Sequence, residues 1–252
     1  MTKLLRAFVA FLAIPLALGL AACGSSSEEG ATAPPKGDPI AAIPAPAGAS
    51  WMDTVEVTPE DGYRYGNPDA PIKLIEYQSH TCPHCGVFAE EAGPALTNKY
   101  VASGVVSWEI REQLHNPIDL LVAVLARCGA KESFLPLSEQ YWTNLGPMIE
   151  KAQANQAALA QAQNLPPNQR FQKMAEAAGL IEFYSSRGIA REQALQCLAD
   201  GDKAQAIADR SDKQSEELGV TGTPTFFING SKIENVAAWA GLEPALQAAG
   251  AR

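Results

Sequence analysis

Four residues, Cys82-Pro83-His84-Cys85, constrain this 252-residue chain more than any other part of it. Two thiols separated by two residues close readily on each other as a disulfide. The tetrapeptide follows an apolar run, Ile72 to Tyr77, and precedes a stretch with helical character from Pro83 to about Val101. That order puts Cys82 at the mouth of a helix, where unpaired backbone N–H groups and the helix dipole favour the thiolate. Pro83 suits the first helical position, because that N–H has no intrahelical partner anyway. His84, when protonated, adds positive charge beside the sulfur. Cys82 is therefore the candidate nucleophile and Cys85 its resolving partner. The same spacing also fits a metal site or a plain structural bridge.

A second segment narrows the choice. Gly219 to Gly230 contains Gly222-Thr223-Pro224-Thr225, then a β-rich run, Thr225 to Ile228, then Asn229-Gly230, a tight-turn pair. X-Pro is the one bond where cis is inexpensive. A cis Thr223–Pro224 bond would turn the backbone groups of Thr223 towards an adjacent pocket, where an extended substrate pairs with them strand to strand. An ordinary turn proline is the plain alternative.

Together the two segments resemble the thioredoxin superfamily, and more closely its DsbA-like branch of bacterial periplasmic thiol oxidoreductases. The matching pieces are Ile75-Glu76-Tyr77, Cys82-Pro83-His84-Cys85 and Gly222-Thr223-Pro224-Thr225-Phe226, within a likeness from about Gly66 to Arg252. The resemblance implies an α/β, thioredoxin-like fold with an inserted helical subdomain. It implies a redox-active disulfide and no separate cofactor or metal, with a cis-proline loop, Thr223 and Pro224, against the disulfide. It also implies a buried acid behind the pair that moves the proton of the second cysteine, at Glu76 by position. As a strand residue Glu76 faces either core or solvent, and the sequence leaves that open. Thr223 differs from the Val of the best-known oxidases and is similar to isomerase-type members.

The N-terminus carries an address. Lys3 and Arg6 precede an apolar stretch, Ala7 to Leu20, broken by Pro15 and Gly19, in the order of a secretory signal. Leu20-Ala21-Ala22-Cys23 resembles the lipobox of bacterial lipoproteins, which implies a signal peptide over 1–22 and lipidation of Cys23. An ordinary cleaved signal with an incidental Cys is the alternative. Multiple acyl chains anchor a protein stably. Gly24 in place of Asp leans towards the outer membrane, with the protein in the cell envelope facing the periplasm. From Cys23 to Ser50 the chain is mostly Ser, Glu, Gly, Ala and Pro. Such composition buries too little surface to offset ordering entropy, so 23–50 is expected to be a disordered tether.

Residues 51–252 suffice for one domain with a substantial core. The formal net charge of −9 argues against nucleic acid as a partner. Val55 to Val57 and Pro71 to Tyr77 have strand character. Val105 to Gln113 alternates, with Val106, Trp108 and Ile110 expected on the covered face of a half-buried strand. From about 117 to 207 the pattern is helical, with turn signals at Gly146-Pro147, Pro166-Pro167 and Gly188. Ala152 to Gln163 is expected as one exposed helix. Helix continues from Ala208 to Leu218, a hairpin follows at 225–233, and a helix closes the chain at 237–249.

Cys128 and Cys197 remain. With Cys23 lipidated and Cys82 paired with Cys85, the last two form a structural disulfide in an exported protein, or stand as two unrelated buried thiols. His80 fits a contribution to the site or a solvated loop, and His115 a structural role. The four tryptophans serve packing, and Phe226 and Phe227 put one ring into the core and one beside a substrate groove.

Three functions compete. The first introduces disulfides into exported polypeptides bearing thiols, reset by a membrane redox partner. The second runs the same fold as a reductase or isomerase. The third is a copper- or zinc-handling module using Cys82, Cys85 and a nearby His. Metal sites need a third or fourth ligand, and Thr223-Pro224 has no use there.

Overall fold

A computed structural model describes residues 37–252. The signal segment, Cys23 and the first part of the expected tether lie outside the described residues. At the centre is a six-stranded sheet in the order β1-β2-β4-β3-β5-β6. Its strands are β1 (Val55–Val57), β2 (Tyr63–Tyr65), β3 (Ile72–Gln78), β4 (Val106–Glu112), β5 (Thr225–Ile228) and β6 (Ser231–Lys232). β3 runs parallel to β4 and antiparallel to β5, so the strand that leads into the cysteines sits mid-sheet. In register, Glu76 lies between Ile110 and Phe226. Helix α1 (Pro83–Ala95) connects β3 to β4 and continues as a π-helical turn, Leu96–Val101.

Alternation on β3 sorts its side chains. Leu74, Glu76 and Gln78 point one way, Ile75 and Tyr77 the other. On the first side Leu74 joins the main core with Phe88 of α1 and Phe226 of β5, whose rings lie 4.7 Å apart. Full burial of a side chain such as Phe226 contributes about 1.5–3 kcal/mol. On the second side Tyr77, Val220 and Phe227 form a separate cluster. Both phenylalanines are therefore packed inside, on opposite faces, and Phe227 does not border a substrate groove. A strand buried on two faces leaves neither ring free.

β4 departs from the half-buried expectation for the same reason. Ser107 and Glu109 are buried along with Val106, Trp108 and Ile110. The strand is central, and both the π-helical turn and α9 (Gly201–Leu218) pack against it. β2 has only three residues, Tyr-Arg-Tyr, too short for period-2 alternation to mark it in the sequence.

The helical region comprises α2 (Pro117–Ala126), α3 (Phe134–Thr143), α4 (Leu145–Ala154), α5 (Gln156–Gln163), α6 (Pro167–Ala177), α7 (Leu180–Ser185), α8 (Arg191–Ala199) and α9. Asn116 caps α2, accepting from the N–H groups of Ile118 and Asp119, with Pro117 in the first turn. Gly146-Pro147 is not a turn: it lies inside the first turn of α4, where a proline's missing N–H costs nothing. Ala152 to Gln163 is not one helix either, because the chain breaks at Asn155. α9 crosses position 207 unbroken, so the expected edge of the insertion falls within a helix. α10 (Trp239–Ala248) closes the chain.

Residues 37–50 correct the tether expectation. The N–H of Gly37 donates to Ala248 and that of Ile40 to Gly250, while Ile43 binds Ser103 and accepts from the Trp51 indole. Ile40 packs against the main core. Two isoleucines and satisfied backbone groups supply what composition averaged over 23–50 conceals.

Candidate active site

β3 ends at Gln78, and four residues later Cys82 is the N-cap of α1 in extended conformation, with Pro83 in the first turn. The Cys82 N–H donates to the Ser79 carbonyl, and the Cys82 carbonyl accepts from Gly86. Both cysteines are reduced here; Cys85 is fully buried and Cys82 is 7% exposed. Only the first sulfur is open to attack.

The Thr223–Pro224 bond is cis. The Thr223 carbonyl oxygen lies 3.3 Å from the Cys82 sulfur and accepts from the thiol. The Thr223 hydroxyl is buried without another hydrogen-bond partner among the described residues. When Cys82 ionises, the Thr223 hydroxyl turns from orphan to donor. The hydrogen bond from the Cys85 thiol lowers the Cys82 pKa most, burial opposes it, and the Thr223 hydroxyl and the N–H groups of Cys85 and His84 add to the lowering, to about 5. His84 thus acts through its backbone, and its imidazole is exposed. The Cys85 thiol is pushed far up, first by burial, then by serving as donor to Cys82, then by the Glu76 carboxylate. Two cysteines three positions apart therefore divide into a thiolate and a thiol.

Glu76 is 1% exposed, on the core side of β3. Burial pushes its carboxyl up to about 8, against the lowering effect of a 3.0 Å hydrogen bond from the Trp108 indole N–H. It is largely protonated at neutral pH, coupled to Cys85.

The loop between β3 and α1 is held by the helical region. Asp119 of α2, fully buried, accepts from the Ser79 hydroxyl at 2.8 Å, the Thr81 N–H at 2.7 Å and the His115 N–H at 2.9 Å. Asn116 donates to the Thr81 hydroxyl. His80, fully buried, stacks on Trp142 of α3, and the Trp142 indole N–H donates to the Ser79 carbonyl at 3.2 Å. Ser138 gives its proton to the Phe134 carbonyl, so its oxygen accepts from His80 Nε2 at 2.9 Å. Nδ1 then faces Glu112 Oε2 at 3.4 Å, and Arg127 approaches the other Glu112 oxygen. Despite burial, His80 and then Arg127 hold the Glu112 carboxyl below its ordinary value. His80 is thus neither solvated nor aimed at the sulfurs. His115 is exposed.

No three His, Cys, Asp or Glu side chains gather as a metal-binding group among the described residues. His80, one of the two histidines the metal reading could use, is committed to Ser138 and Glu112. Cys128 and Cys197 are disulfide-bonded across 69 positions, joining the end of α2 to α8.

A thioredoxin family model matches residues 58–248. The chain belongs to the thioredoxin family. Among curated members, a Rickettsia typhi protein provisionally named a protein-disulfide oxidoreductase is 27% identical over 171 residues, 68% of this chain and 55% of that protein. A Rickettsia bellii counterpart is 26% identical, over 68% of this chain and 58% of the relative. The chain thus spans a little over half the length of these curated relatives. Among solved structures, a protein-disulfide isomerase from Novosphingobium aromaticivorans is 29% identical with a TM-score of 0.69, covering 73% of this chain and 95% of that one. Wolbachia pipientis alpha-DsbA1 has a TM-score of 0.52 at 22% identity, covering 68% and 75%, and shares the fold. The DsbA-like form of the thioredoxin fold, with its helical insertion, is therefore the architecture of this chain.

Within this family member, Trp108, Asp119 and Trp142 complete a site that the sequence marked at Cys82, Pro83, His84, Cys85, Glu76, Thr223 and Pro224, and His80, which the sequence left between site and solvated loop, supports it. Asn116-Pro117 does signal the start of α2. Nothing in the sequence says that Asp119, 38 residues beyond Thr81, holds that residue's N–H.

Proposed function

We propose that this chain is a protein thiol–disulfide oxidoreductase that introduces disulfides into exported polypeptides. The single observation that carries the reading is the division of labour between the two sulfurs, with an exposed-side thiolate at Cys82 and a buried thiol at Cys85. In the oxidised pair, a client thiolate attacks the Cys82 sulfur. The Cys82–Cys85 bond breaks, a mixed disulfide forms at Cys82, and Cys85 leaves and takes up a proton. Glu76, protonated at neutral pH and coupled to Cys85, is the group on hand to supply it. A second client thiolate then attacks the client sulfur, and Cys82 leaves as its stabilised thiolate. Two client thiols lose two electrons and two protons; the cysteine pair gains the two electrons and one proton, on Cys85, and the other proton goes to solvent. A stabilised reduced form makes the pair an oxidant, at about 30 mV for each 1.4 kcal/mol.

The address motif supports a cell-envelope location with lipid on Cys23 and the domain facing the periplasm, the outer membrane being favoured by Gly24. A membrane redox partner would reoxidise the pair. A second reading, disulfide isomerase or reductase, is favoured by Thr223 and by the name of the Novosphingobium structure.

Equilibration of Cys82–Cys85 with glutathione, paired with refolding of a reduced and a scrambled test protein, separates the readings. Oxidation of the first without rescue of the second supports the oxidase. Rescue of the scrambled protein supports the isomerase. Failure of the pair to exchange with glutathione overturns both.

A further inference from the structure

A cleft of about 890 Å³ opens beside the redox pair, between α1 on one side and α3–α4 on the other. It starts at Pro83, next to the nucleophile, and runs to Asn98. Two of the few large apolar residues that the domain leaves exposed line it, Val87 at 51% and Ile149 at 37%. Trp142 forms part of its wall. α1 and α3 approach closely at one end of the cleft because α1 presents glycine there: a Cβ on Gly86 would lie 3.2 Å from that of Trp142. Two carboxylates, Glu90 and Glu139, line the cleft, and no Lys, Arg or His side chain does. Glu139 is half-buried, and burial raises its carboxyl pKa. An apolar floor with two uncompensated carboxylates is incomplete without a cationic, partly apolar occupant.

We propose that this cleft is a docking groove for the polypeptide flank of the client's reacting cysteine, selecting segments with apolar residues and with Lys or Arg three and five positions from that cysteine. This inference rests on thiol–disulfide exchange at Cys82. The spacing follows from helix geometry. At about 1.5 Å per residue, the Cα of Glu90 lies roughly 12 Å along α1 from the N-cap, its side chain leaning back towards Cys82, and Gly93, which faces Glu139, lies roughly 16 Å along it. An extended chain covers about 3.3 Å per residue, so these distances match its third and fifth residues, which share a face. The chain's own Gly24 to Lys36 is a poor occupant, with two acidic residues, one basic and no large apolar side chain.

The test uses the full-length chain and twelve-residue peptides holding one Cys, two Leu, and either two Lys or two Glu at the third and fifth positions from the Cys. A parallel set carries Ser for Cys and reports docking without redox chemistry. The Ser peptide with Lys is expected to bind at least fivefold tighter than its Glu counterpart at low salt, with amide shifts centred on Val87, Trp142 and Ile149. In the Glu90→Gln/Glu139→Gln double variant the ratio falls below twofold, and Ile149→Ser weakens both peptides. The Cys peptides follow the same order in the rate of mixed-disulfide formation. Equal affinity for Lys and Glu peptides, or shifts that map away from the cleft, overturns the groove. Self-association that Ile149→Ser abolishes, without charge-selective peptide binding, overturns it too and makes the face a dimer interface. Cys peptides oxidised without charge preference sink the groove and leave exchange standing. Charge-selective docking of Ser peptides with no reaction of Cys peptides does the reverse.

Discussion

The Cys82 sulfur lies 3.3 Å from the carbonyl oxygen of Thr223, 141 positions away in the chain. The contact brings a backbone carbonyl, a buried hydroxyl and the nucleophile together at the mouth of α1. The thiol donates to the carbonyl; the thiolate instead draws first on the Cys85 thiol, then on the Thr223 hydroxyl and on backbone N–H groups. Ionisation thus exchanges one set of hydrogen bonds for another.

Alkylation of the reduced protein should follow this exchange. The rate at Cys82 is expected to titrate with a midpoint near 5, while Cys85 stays unreactive until the protein unfolds. Because the folded pKa lies below the unfolded thiol value of about 8.5, the Cys82 contribution to stability is fully present above that value. It is lost as the pH falls through about 5. Thiolate absorbance near 240 nm, read against a Cys82→Ser control, measures the midpoint; a value near 8.5 contradicts the assignment.

Thr223→Val keeps shape and removes the hydroxyl. Loss of one charge-assisted hydrogen bond, about 1.5 kcal/mol, should raise the Cys82 pKa by about one unit and make the pair less oxidising by about 30 mV. Glutathione equilibria of the two proteins give the difference. An unchanged potential would show that the hydroxyl does not serve the thiolate.

Glu76→Gln removes a carboxyl that burial holds at about 8. A folded pKa above the unfolded value of about 4.3 means that the stabilising contribution is full below 4.3 and is lost as pH rises through 8. The wild type should therefore lose stability relative to the Gln variant between pH 5 and 9, on the order of 3 kcal/mol. Urea unfolding at both pH values tests this. Gln cannot supply a proton to Cys85, so mixed-disulfide formation from the oxidised variant should slow by about a hundredfold.

Asp119→Ala strips the loop of its anchor. Three donors, from Ser79, Thr81 and His115, lose a buried acceptor. The expected cost is about 3 kcal/mol, with a smaller loss for Asp119→Asn, which keeps one oxygen. Equilibrium unfolding by tryptophan fluorescence gives both. Identical stability in all three proteins would remove Asp119 from the loop's support.

Replacing Cys128 and Cys197 with Ser opens a long loop in the helical region. Chain entropy sets an upper figure of about 4 kcal/mol for a bridge of this span. Urea unfolding of the Ser/Ser protein measures the loss, and glutathione equilibria should leave the potential of Cys82–Cys85 unchanged within about 10 mV.

The local sequence determined the elements around the pair. An apolar run, a helix-opening proline and two cysteines are adjacent in the chain, so their order alone places Cys82 at a helix mouth. Asn229-Gly230 fixed the hairpin turn by the same kind of local rule, both residues taking positive φ. What it left undecided were matters of facing. Whether Glu76 met core or solvent depended on helices covering its side of β3, and whether Phe227 was free depended on the second cluster. The order of residues 37–50 depended on finding Ala248, Gly250 and Ser103 as partners. His80 and Asp119 became supports of the active-site loop only when α2 and α3 packed against it. Propensity and turn chemistry act over a few residues, whereas burial, hydrogen-bond pairing and pKa arise from neighbours distant in the chain, and only the packed structure supplies those.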